Sequence, residues 1–84
     1  MLSTNEIENR IKSKIIVSYV KAVDLRGGDH IQLILVSPDF EAKSLISRHK
    51  IVYDALAEEL KSNEIHALTL KTYTPNEWEN GGKK

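Results

Sequence analysis

The stretch IHALTLKTY, residues 65–73, alternates with period two. His66, Leu68, Leu70 and Thr72 fall on one side, and Ala67, Thr69, Lys71 and Tyr73 on the other. That alternation predicts a half-buried strand of about residues 65–73, with a histidine at the head of its apolar row. The period upstream is helical. From Ser44 onward, Leu45, His49, Val52, Tyr53, Leu56 and Leu60 lie on one stripe, with Arg48, Lys50, Glu58 and Glu59 largely off it. KSNE, residues 61–64, ends this helix, with Asn63 as a left-handed cap. PDFEAK, residues 38–43, separates the helix from what precedes it, because Pro38 cannot donate to a ladder and Asp39 favours turns.

Ahead of that break, residues 15–24 are rich in β-branched side chains and predict a strand. HIQLILVS, residues 30–37, predicts another, and LRGGD between them makes the pair a hairpin with a long, glycine-rich loop. Residues 3–6, STNE, are a capping box that starts a helix of about residues 4–13, with Ile7 and Ile11 one turn apart. TPNE, residues 74–77, repeats the same grammar with Thr74 as N-cap, Pro75 first in the helix and Glu77 third. Trp78 in the next turn is expected to pack back on the body.

The order is therefore α-β-β-α-β. The hairpin makes the first two strands antiparallel, and a strand–helix–strand crossover makes the last two parallel with a right-handed connection. An α/β sandwich follows: a three-stranded mixed sheet with the second strand central, helices on one face, and a solvated face bearing Thr69 and Lys71. One domain over residues 1–79 is expected, with a disordered tail at 80–84.

Composition limits the function classes. The chain has 84 residues, 29% charged and 40% hydrophobic, as an ordinary globular domain does. Twelve basic and twelve acidic side chains cancel, so no global field draws the protein to nucleic acid or anionic membrane, although a local basic patch is compatible with that balance. There is no cysteine, which excludes disulfides, thiolate nucleophiles and cysteine-built metal sites and fits a reducing compartment. The N-terminus lacks the features of a signal or transit peptide, and the apolar runs are too short to span a bilayer, so a cytoplasmic protein without membrane association is expected. No Ser/His/acid spacing and no P-loop is present, and LRGGDH is not G-x-G-x-x-G. An enzyme is not expected.

The histidines carry the remaining chemistry. Parallel pairing puts the start of the second strand, at His30, beside the start of the third, near His66; neighbouring strands lie about 4.8 Å apart, so two imidazoles can converge on one metal. The ordinary alternatives are a partly buried His66 bonded to a carbonyl and a solvated His30 in its loop. Two nitrogens are half a shell, since zinc takes four donors and iron–sulfur centres normally four ligands. Asp29 is the nearby carboxylate, so a metal here has to be shared with a partner. His49, between Arg48 and Lys50, reads as a satisfied helix histidine; the trio can also offer charge to phosphate.

VSPDFEAKSLISRHKIVYDALAEEL, residues 36–60, followed by IHALTLKTYTPNEW, residues 65–78, resembles the BolA family. The resemblance spans roughly residues 5–79. Its most specific parts are the Phe40 turn leading into Arg48-His49-Lys50 with Val52-Tyr53, then Ile65-His66-Ala67, Thr74-Pro75 and Glu77-Trp78. It implies a BolA-like fold related to the second class of KH domains, and partnership with a monothiol glutaredoxin in iron–sulfur cluster assembly, trafficking or iron regulation. The chain is then a monomer alone, or a heterodimer sharing a bridged 2Fe-2S cluster with the glutaredoxin and glutathione. The family's ligands are the histidine opening the last strand, here His66, and a histidine or cysteine of the hairpin loop, here His30. The resemblance also implies a second role, as a DNA-binding regulator of morphology and stress response. The G-x-x-G loop of nucleic-acid-binding KH domains is absent, so Lys43, Arg48 and Lys50 would carry the phosphate contacts. Two departures stand out: Ala42 where the family usually has glycine, and Lys50 where arginine is commoner.

Overall fold

The computed structural model describes residues 2–27 and 30–82. Ser3 Oγ accepts from the Glu6 amide at 3.1 Å and Glu6 Oε1 from the Ser3 amide at 3.0 Å, so the predicted capping box starts α1, Thr4–Lys14. Strand β1 is Tyr19–Asp24 and β2 is Ile31–Val36. The first strand begins later than residue 15 because Ile15 closes α1 and is buried, and Ile16 O accepts from the buried Ser37 hydroxyl. A 3-10 turn, Pro38–Phe40, inserts Phe40 into the core and leads to α2, Leu45–Ala55, and α3, Ala57–Lys61. Strand β3 is Leu68–Tyr73, followed by α4, Pro75–Glu77, and a kinked turn at Trp78–Gly82 in which Asn80 and Gly81 leave helical geometry.

The sheet order is β1-β2-β3, with β1 antiparallel and β2 parallel to its neighbour as the hairpin and crossover require. Lys21, Ile34 and Lys71 share one cross-strand row, and Tyr19, Val36 and Tyr73 another. Ala22, Leu33 and Leu35 face the helices and meet Ile7 and Ile11 of α1 and Val52, Ala55 and Leu56 from the second helical segment. Burying each large aliphatic side chain of this layer contributes about 1.5–3 kcal/mol. On β1, the Leu25 amide donates to His30 O, so by antiparallel alternation the Ala22 amide points away from β2. Glu8 Oε2 of α1 accepts it at 2.8 Å.

The long helix departs from its predicted form. It breaks at Leu56 (φ −109°, ψ 19°), and the buried stripe runs through Arg48, Val52 and Ala55 rather than Leu45, His49 and Tyr53. Leu45 is 62% and Tyr53 42% exposed, whereas Arg48 is 8% and Glu59 3% exposed. Pairing makes the two charges tolerable inside: Arg10 binds Glu59 Oε2 at 2.5 Å, and Arg48 holds Glu77. Burial pushes the Glu59 carboxyl up, but the Arg10 hydrogen bond, a backbone hydrogen bond and the Lys14 and Arg10 charges outweigh it and leave it below the usual range.

Among the described residues, two that are not glycine adopt left-handed backbone. Asn63 has φ 65°, as its capping role predicts, and Ala42 has φ 60°, so this turn keeps the conformation a glycine would suit and strains the alanine.

Candidate functional site

Parallel pairing of β2 with β3 carries the Ile31 amide to Ala67 O at 3.0 Å, with Ile31 opposite Leu68. His30 immediately precedes β2 and His66 lies two residues before β3, so both histidines sit at the same end of the sheet. His66 does not head the inward row, contrary to the period-two reading. Its neighbour Ile65 is buried, anchored by donation from its amide to Glu59 O at 3.1 Å, and this turns His66 out to solvent. The regular alternation starts only at Leu68. The His66 ring forms no hydrogen bond among the described residues.

His30 is half-buried, and its Nε2 lies 2.5 Å from Thr69 Oγ1. Thr69 is therefore a partner that the strand pattern placed on the solvated face without linking it to His30. No hydrogen bond joins His30 to His66 among the described residues, and none of these residues assemble a set of three or more His, Asp or Glu suited to a metal. Asp29, the nearby carboxylate of the sequence reading, lies outside the described residues. As a donor set, an exposed imidazole and a second one at the same rim fit half of a bridged iron–sulfur site, with other donors coming from another molecule; they do not fit a closed four-ligand centre.

The second candidate set is divided. Arg48 donates from Nε to Lys43 O at 3.0 Å, from one terminal nitrogen to Thr72 O at 3.4 Å, and to both Glu77 oxygens at 2.8 and 3.2 Å. Its guanidinium is thus consumed internally, and the reading of Arg48 as a phosphate contact is corrected: its position faces the core. That hydrogen bond is the main reason the Glu77 carboxyl is pulled down to about 2, helped by the Thr74 amide. Lys43 and Lys50 do reach the surface, around an open depression of about 320 Å³ that also touches Ala42, Ser47 and Asp54. Lys50 pairs with Asp54 at 3.3 Å. His49 is half-buried.

The Thr74 cap forms as predicted, with Thr74 Oγ1 accepting from the Glu77 amide at 3.1 Å. It brings Trp78 onto Tyr19 (centroids 5.1 Å, planes 24° apart) and against Tyr73 (5.3 Å, 49°). A packed Trp78 was legible in the sequence; its aromatic partners were not, since they come from both outer strands. No helix among the described residues is long and apolar enough to cross a membrane.

A family model described as BolA-like protein matches residues 5–77. Protein BOLA2 of Arabidopsis thaliana is 37% identical over 81 residues, covering 93% of this chain and 85% of that protein. The DNA-binding transcriptional regulator BolA of Escherichia coli (strain K12) is 44% identical over 62 residues, covering 74% of this chain and 58% of that one. Among solved structures, a bol-like protein from Babesia bovis superposes with a TM-score of 0.82 at 36% identity, covering 95% of this chain and 93% of its own.

Proposed function

Because the chain belongs to the BolA-like protein family, we propose that it is a non-enzymatic partner of a monothiol glutaredoxin, sharing a bridged 2Fe-2S cluster in iron–sulfur assembly, trafficking or iron regulation. One observation carries this reading: parallel pairing puts His30 and His66 at one rim of the sheet, with His66 exposed. His66 would hold the cluster directly. His30 would supply the second nitrogen, and Thr69 fixes its ring through the 2.5 Å contact, so that little rotamer freedom is left to lose on binding. When bound, the cluster supplies one-electron chemistry and a transferable iron–sulfur unit. The glutaredoxin and glutathione would complete the shell, a division compatible with a chain that has no cysteine.

The test is reconstitution of the cluster on a mixture of the two proteins. A heterodimer should form with visible absorption and circular dichroism distinct from the glutaredoxin alone. His66→Ala should abolish the distinct spectrum and His30→Ala should weaken it. A spectrum unchanged by His66→Ala would overturn the assignment.

A second reading is favoured by the Escherichia coli relative, which is a DNA-binding transcriptional regulator. With Arg48 occupied, Lys43 and Lys50 are left to meet phosphate, so affinity would be modest and steeply salt-dependent. Duplex affinity across a salt series for the wild type and Lys43→Ala/Lys50→Ala measures it, and no binding at low salt removes it.

A further inference from the structure

We propose that the free margin of β3 seats a second copy of this chain, in a two-fold dimer whose two three-stranded sheets become one. Ala67 O and Tyr73 O accept from amides on the β2 side, so by alternation the backbone groups of Leu68, Leu70 and Thr72 point away from the sheet. Arg48 fills one of these positions by donating to Thr72 O. The N–H and C=O groups of Leu68 and Leu70 have no partner among the described residues. Antiparallel pairing of two such margins about Thr69 sets Leu68 opposite Leu70 of the second copy, and each such pair exchanges both of its hydrogen bonds. Arg48 keeps Thr72 O in this register, whereas pairing centred on Leu70 would compete for it. Thr69 then faces its own counterpart. Lys71 faces Ala67, so the two lysines stay about 13 Å apart.

The helical layer closes in the same step. α2 connects β2 to β3 and lies over that pair, with Val52 in the core beside Leu33 and Leu35. Ala55 O accepts from Lys14 of α1, which marks the flank of α2 that adjoins α1. A right-handed crossover and a right-handed helix turn the opposite flank, Leu45, His49 and Tyr53, out over the margin of β3. These three belong to the stripe whose period assigns it to the core, yet Leu45 and Tyr53 are exposed. With strands about 4.8 Å apart, a helix over the β2–β3 seam sits about 5 Å from the two-fold axis, and its counterpart comes to about 10 Å, an ordinary helix-packing distance. Arg48 is level with Thr72, and Thr69 lies about 10 Å farther along, which at 1.5 Å per helical residue brings the axis close to Tyr53. An extended peptide would pair with the margin and leave the stripe bare; a second copy covers both layers. The molecule spans 34 × 23 × 20 Å, so one flank offers at most about the 800 Å² per partner of a standard interface, and a micromolar or weaker dimer is expected. The inference does not rest on the cluster.

Sedimentation equilibrium of the full chain, from low micromolar to millimolar concentration, should give a mass rising from 9.5 kDa toward twice that value. Tyr53→Glu, confirmed folded by circular dichroism, sets two carboxylates against each other near the axis and should weaken the dimer roughly tenfold. The chain has no cysteine, so one introduced thiol reports without ambiguity. At the Thr69 pair the facing Cα atoms are about 4.5 Å apart, within reach of a disulfide. In a glutathione disulfide buffer two Thr69→Cys chains should therefore form one bridge, reducing one glutathione disulfide to two glutathiones. Lys71→Cys, too far from its counterpart, should stop at the mixed disulfide with glutathione. Three results would overturn the proposal: the mass of one chain at every concentration, which would leave the margin to a foreign strand; a dimer that Tyr53→Glu leaves intact; or Lys71→Cys chains that cross-link as readily as Thr69→Cys chains.

Discussion

Replacing Arg48 by alanine tests how an ion pair locks α2 to α4. The side chain is only 10% exposed, while Glu77 is 46% exposed, so the two ends of the pair are not worth the same. At the buried end, Thr72 O loses a donor it cannot replace with water, at about 1–2 kcal/mol. At the open end, the bidentate link to Glu77 is screened by solvent, and its loss costs about 1 kcal/mol rather than the full value of a buried pair. The Lys43 carbonyl, beside an exposed residue, is rehydrated at little cost. The sum is about 2–3 kcal/mol. For a domain of this size that lowers Tm by roughly 10–20 °C, measurable by urea and thermal unfolding followed by circular dichroism. Arg48→Lys should recover little, because an ammonium cannot reproduce the planar fork, and Glu77→Gln should cost about 1 kcal/mol. A loss below 0.5 kcal/mol for Arg48→Ala (a threshold set by ordinary surface substitutions), or one matched by Lys50→Ala, would refute the reasoning.

Ala42→Gly should stabilise the fold by about 0.5–1 kcal/mol, since relief of left-handed strain exceeds the entropy glycine adds to the unfolded chain; a lower urea midpoint would contradict it. Glu77 contributes stability that is fully present above its ordinary pKa of 4.5 and drains away as pH falls toward about 2, so acid unfolding of Glu77→Gln should be shallower than wild type across that window. Leu35→Ala, at a fully buried site, should cost about 3 kcal/mol, while Ile46→Ala, 82% exposed, should stay within about 0.5 kcal/mol on the same denaturation assay.

Local signals in the sequence led directly to the observed elements. Both capping boxes, the Asn63 cap and the order of the strands depend on residues a few positions apart, and the structure has them all. The crossover argument likewise placed His30 and His66 at one end of the sheet. The phase of the long helix was not legible, because it is decided at a distance: Glu59 goes inside only because Arg10, 49 residues earlier, meets it. His66 was misoriented for a related reason, since the carbonyl of Glu59 pins Ile65 inward and breaks the strand's alternation before it begins. The His30–Thr69 contact depends on exact register, which periodicity leaves open.

The placement of Glu8 and Arg48 has a consequence for behaviour in a crowded solution. A short sheet has two raw margins, each ready to recruit a strand from a neighbouring molecule. Here a carboxylate from the first helix occupies one margin at Ala22, and a guanidinium from the second occupies a carbonyl of the other strand at Thr72. Each delivers a charge that an incoming backbone would have to strip of its partner. Glu8→Leu should therefore shorten the lag before fibril formation under agitation while leaving the monomer folded.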